Sequence, residues 1–111
     1  MDNIYQVTEL TEEARTGVAS GSLIGNFNIS YNQLKKAFGK PLNLFFDKYK
    51  SDAEWIIYTP KGYITIYNYK DGKNYCGRKE GLPVSKITDW NFGGKNLEAF
   101  YLVESYLLSK I

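Results

Sequence analysis

The chain has 111 residues, 43% of them apolar and 23% charged, with a net charge of +2. That length specifies one domain, 1–111, with interior enough to fold without a metal or a disulfide. Cys76 is the only cysteine and there is no histidine, which excludes an intramolecular disulfide and removes the commonest zinc ligand and general base.

Residues 1–21 carry the least pattern. Within them IYQVTEL alternates like a short strand, and Thr11 is placed to cap a short helical turn through Glu12, Glu13 and Ala14 that ends near Gly17. Ser22 to Ile29 sets Leu23, Phe27 and Ile29 on one side and predicts a strand. Ser30 followed by Gln33 is a capping box, so a helix is expected over Ser30–Phe38, with Leu34, Ala37 and Phe38 as its apolar stripe. Gly39 and Pro41 stop it. Leu42 to Phe46 reads as a short extended segment.

EWIIYT (Glu54–Thr59) and YITIYNYK (Tyr63–Lys70) predict a hairpin around Pro60, Lys61 and Gly62. In the second strand Ile64, Ile66 and Asn68 share one face, the aliphatic and core side. Tyr63, Thr65, Tyr67 and Tyr69 share the other, which is either covered by another element or open for binding. A turn follows at Lys70-Asp71-Gly72-Lys73, then a loop from Asn74 to Gly81 and an extended stretch from Val84 to Phe92. Asn96 is a good N-cap for a last helix, Asn96–Lys110. Its core stripe is expected to hold Leu97, Phe100, Tyr101, Leu107, Leu108 and Ile111, and Ala99, Leu102, Val103 and Tyr106 widen that stripe. A helix so apolar is buried on more than one side, either within its own fold or in a homodimer contact. The fold class that results is α+β, an antiparallel sheet of about four strands with two main helices.

Charge is unevenly spread. Residues 1–34 hold four acids against one base, a net −3, whereas residues 35–80 hold ten bases against five acids. The basic middle suits an anionic partner. Its densest part, Lys70 to Lys79, joins Lys70, Lys73 and Arg78 to the amide of Asn74 and the ring of Tyr75. Such groups meet phosphates and stack on bases, although the G-x-x-x-x-G-K-[ST] order of a phosphate-binding loop is absent. At the end of the next strand Trp90, Asn91, Gly93, Gly94, Lys95 and Asn96 lead into a helix N-terminus, where free amides and the helix dipole favour an anion. Lys70–Arg78 together with Trp90, Asn91, Lys95 and Asn96 therefore form the candidate ligand or partner site. A structural turn is the competing reading of each segment.

No catalytic residues are expected. Cys76 has no histidine to activate it, and a structural ion pair with Lys70 or Arg78 is the better reading of Glu54. Asp47, Asp71 and Asp89 have no metal-site spacing, and no cofactor is expected. No apolar run approaches the roughly 18 residues of a membrane span. The N-terminus MDNIYQVTEL is not a secretory signal, so a cytoplasmic protein is expected.

From Ile29 onward the chain resembles a group of small bacteriophage and prophage proteins. The resemblance rests on Phe38, Gly39 and Pro41, then Ala53, Glu54 and Trp55, then Gly62, Thr65, Ile66 and Tyr67. It continues through Tyr69–Gly77, Gly81–Val84, and Trp90, Gly93 and Gly94. It covers about two-thirds of the chain and excludes residues 1–21. The resemblance implies a viral origin and a small accessory role in the host cell, and it supplies no catalytic residues. Small phage accessory proteins blunt host defence by binding a defence protein, such as a CRISPR effector, or by sequestering its nucleotide signal. The first is the leading expectation here. A sponge for a cyclic nucleotide or ADP-ribose-type signal is the alternative, and a nucleic-acid-binding accessory protein is permitted but less favoured.

Overall fold

The computed structural model describes residues 3–9, 11–18, 21–42, 53–68, 77 and 81–110. Strands β1 (Tyr5–Gln6), β2 (Ser22–Asn28), β3 (Glu54–Thr59), β4 (Gly62–Tyr67) and β5 (Asp89–Gly94) form one antiparallel sheet in the order β1-β3-β4-β5-β2. Helices α1 (Glu12–Val18), α2 (Tyr31–Phe38) and α3 (Leu97–Lys110) complete an α+β fold. The fold class is as expected, with a two-residue edge strand and a short third helix added.

Local chemistry explains most boundaries. The Ser30 hydroxyl accepts from the Gln33 amide while the Gln33 side chain accepts from the Ser30 amide. These bonds satisfy two amides that a helix start leaves without partners. Gly39, at φ 86°, ends the helix where a side chain would be strained. Its carbonyl accepts from the Trp55 indole at 2.9 Å. The Thr11 hydroxyl likewise accepts from the Ala14 amide and starts α1.

The stretch from Val84 onward departs from expectation. Val84–Lys86 is a 3₁₀ turn, not strand, because Pro83 and Val84 carbonyls accept from the Lys86 and Ile87 amides. The turn lets both Ile87 and Trp90 reach the interior. Gly93 and Gly94 lie within β5 rather than beyond it. A Cβ on Gly93 would come within 2.7 Å of Thr65 Oγ1, and one on Gly94 within 2.8 Å of Ile64 Cδ1. The pair thus serves close strand packing.

One face of the sheet carries Trp55, Ile57, Ile64, Ile66, Trp90 and Phe92, all buried beneath α2 and α3. Trp55 and Trp90 meet edge to face at 5.4 Å, and Tyr31 of α2 stacks on Trp90. Burying aromatics of this size contributes the larger part of the stability. Asn68, expected on the same face, is also buried, and its carbonyl oxygen accepts from the Ala53 amide. Of the stripe expected on α3, Phe100 and Leu107 are core, joined by Ala99 and Val103. Leu97, Tyr101 and Leu108 are exposed instead, on the side of the helix turned away from Ala99, Val103 and Leu107. Ile111 lies outside the described residues. The opposite face of the sheet is crossed by α1, which packs on β4.

Candidate functional site

Strand register assembles a row of rings on the α1 face. Tyr5 of β1 pairs with Tyr58 of β3, which pairs with Tyr63 of β4. The Tyr5 and Tyr58 rings stack at 4.9 Å, and Tyr58 meets Tyr63 edge to face at 5.6 Å. Helix α1 lies against the far end of this row. Ala14 is buried there, and Gly17 rests on the Tyr63 ring so closely that a Cβ would lie 2.1 Å from Cδ2. The Tyr-Thr-Tyr face of β4 is thus covered at one end by a helix, one of the two outcomes the sequence left open.

Between α1 and the ring row an open cleft of about 560 Å³ remains. Tyr5, Tyr58 and Tyr63 form its floor, and Glu9 and Glu13 stand on its wall with Thr8 and Thr11. Among the described residues, no Lys or Arg lines it. Burial pushes the Tyr63 phenol above the usual tyrosine range. The charge of Glu13, which also accepts a hydrogen bond from the phenol, adds to the rise. The cleft therefore presents flat aromatic faces under negative potential, a setting that attracts a cation.

The residues singled out from sequence do not converge in the same way. Lys70, Lys73, Asn74, Tyr75 and Arg78 lie outside the described residues, as do Cys76 and the stretch 43–46. Trp90 is fully buried, and its indole donates to the Ile87 carbonyl. Its ring therefore offers no face to a partner, because Tyr31 and Trp55 occupy its surroundings. Asn91 is half-buried on the α1 face, where its side-chain oxygen accepts from Asn26 at 3.0 Å. Asn26 also donates to Asp89.

Lys95 and Asn96 sit at the strand–helix junction, and both side chains serve the fold. The Lys95 ammonium donates to the Thr16 carbonyl at 3.2 Å, in the last turn of α1, where a cation complements the helix dipole. The Asn96 side chain accepts from the Glu98 amide at 2.8 Å and donates to the Lys61 carbonyl. Glu98 brings its own carboxylate to the first turn of α3 and pairs with Lys61 at 3.7 Å. Lys95 and Asn96 are thus both engaged within the fold, and Asn96 caps the Glu98 amide. Glu54 is buried on β3, and the bases expected beside it, Lys70 and Arg78, are outside the described residues.

Among the described residues, no three His, Cys, Asp or Glu side chains gather as a metal site would require. No helix among them is long and apolar enough to cross a membrane. Sequence reading passed over Tyr5, Tyr58 and Glu13. The available signals were the acidic excess of residues 1–34 and the hairpin turn, which places Tyr58 opposite Tyr63. Compared with known protein families and with characterised proteins, the chain matches none.

Proposed function

We propose that this chain is a phage accessory protein that blunts host defence by binding a host immune protein, and that the tyrosine cleft is where it grips. The observation that carries the reading is the cleft itself: three tyrosine rings beside Glu9 and Glu13, with no basic residue among the described residues of its walls. Immune effectors that handle nucleic acid, CRISPR effectors among them, expose basic surfaces to do so. An arginine from such a surface would lay its planar guanidinium on a tyrosine face and reach a carboxylate. The same carboxylates repel a phosphate, which weighs against a nucleotide or nucleic acid in this cleft. The resemblance to phage and prophage proteins supplies the biological setting.

The test compares two variants in a host that carries the defence system. Glu9→Lys/Glu13→Lys reverses the cleft's charge and is expected to abolish protection of the phage. Lys73→Ala/Arg78→Ala is expected to retain it. Circular dichroism checks that both remain folded. Calorimetry with an arginine-rich peptide should show binding that weakens at least tenfold in the charge-reversed variant and weakens with added salt. Titration with cyclic nucleotides and ADP-ribose derivatives should show none. Protection that survives reversal of both carboxylates but is lost with Lys73 and Arg78 would assign the function to the basic loop and an anionic partner.

A further inference from the structure

We propose that the chain forms a two-fold dimer through the flank where α3 overhangs β2. β2 is an edge strand, paired only with β5 among the described residues. Its seven residues, SLIGNFN, include no charge and no proline, and its bulge lies between Leu23 and Gly25, so that Gly25 to Asn28 form the regular part of the edge. Above the same edge α3 presents Leu97, Tyr101 and Leu108, which are 51%, 56% and 57% exposed.

The core-side face of β2 and the stripe adjoin. Phe100 of α3 lies against Gly25, the midpoint of β2. On the helix wheel Leu97, Tyr101, Glu104 and Leu108 fall on the Phe100 side, since residues spaced by three, four and seven share a face. Tyr106, on the other side, stacks on Phe38 of α2 at 5.2 Å. The apolar stripe therefore continues from the core outward over β2, not over α2.

A second copy fits this stripe better than an unrelated partner because the stripe is complementary to itself. Leu97 and Leu108 are equidistant from the point between Leu102 and Val103, and so are Tyr101 and Glu104. Two α3 helices crossing antiparallel about that point place Leu97 on Leu108 of the second copy. Tyr101 then meets Glu104 of the second copy, phenol donating to carboxylate. The contact is isologous, so each such pair occurs twice. An uncharged β2 beside its own copy meets no like-charge repulsion.

Light scattering at about 100 µM, far above a micromolar dissociation constant, should give twice the 12.7 kDa chain mass. Leu97→Glu/Leu108→Glu, at exposed positions, should halve that mass with the circular dichroism unchanged. Cross-linking does not depend on that variant folding. In a Cys76→Ser background, Leu97→Cys mixed with Leu108→Cys should form inter-chain disulfides several-fold more than either variant alone. A monomer at that concentration overturns the proposal. So does a dimer in which Leu97→Cys cross-links to itself as readily as to Leu108→Cys, or one that the double glutamate leaves intact. A host-protein strand on β2 would show itself as a monomeric chain, and therefore as the first of these results.

Discussion

Gly25→Ala probes the contact on which the α3 flank rests. The Cβ it adds would stand 2.4, 2.5 and 2.9 Å from three carbons of the Phe100 ring. Ordinary carbon contacts lie near 3.5–4.0 Å, so the ring must retreat by roughly 1 Å. Phe100 cannot do so freely, because it meets Phe92 edge to face at 5.4 Å and Tyr101 at 5.8 Å. Overpacking of this kind costs about 1–3 kcal/mol. Replacing glycine also restricts the unfolded chain, which returns about 0.4–1 kcal/mol where the backbone accepts alanine. Gly25 is not in the left-handed region, so that gain applies and the net loss should be about 1–2 kcal/mol. Urea denaturation measures it as a lower midpoint at unchanged slope. The decisive comparison repeats the substitution in Phe100→Leu, where the ring is gone. There Gly25→Ala should be neutral or slightly stabilising, a coupling of at least about 1 kcal/mol between the two positions. An equal cost in both backgrounds would refute the steric argument and place the penalty in the backbone of β2.

Two further substitutions test other parts of the structure. Ser30→Ala removes the hydroxyl that accepts from the Gln33 amide and should cost about 1 kcal/mol by denaturant titration; a loss below the error of the measurement would mean that water replaces the cap. Tyr63→Phe tests the raised phenol. Its folded value lies above the unfolded value of about 10, so the folded state holds the proton longer. The stabilisation from Tyr63 is therefore complete below about pH 10 and is lost as pH rises through that value toward the folded one. The stability gap between wild type and Tyr63→Phe should narrow from pH 9 to pH 11, and a constant gap would show that Glu13 and burial do not act on this group.

Local chemistry in the sequence determined much of the frame. The Ser30–Gln33 box, the Gly39 stop, the Thr11 and Asn96 caps and the Pro60–Gly62 hairpin all depend on residues close in the chain, and each forms as the sequence dictates. The aliphatic face of β4 was equally legible, because a period of two leaves Ile64 and Ile66 no other side. Three things depended on residues distant in sequence, and those the chain alone could not order. Trp90 reads as an exposed aromatic beside a turn, but the 3₁₀ turn at Val84–Lys86 and the rings of Tyr31 and Trp55 draw it into the core. Lys95 reads as a free cation until α1, 79 residues earlier, offers it the Thr16 carbonyl. The tyrosine cleft exists only because β1 docks beside β3 and α1 folds across β4, joining the least patterned segment of the chain to the most patterned. Capping and periodicity act over a few residues and are written locally. Burial and the pairing of edge strands are decided by surface area and partners that only the assembled sheet brings together.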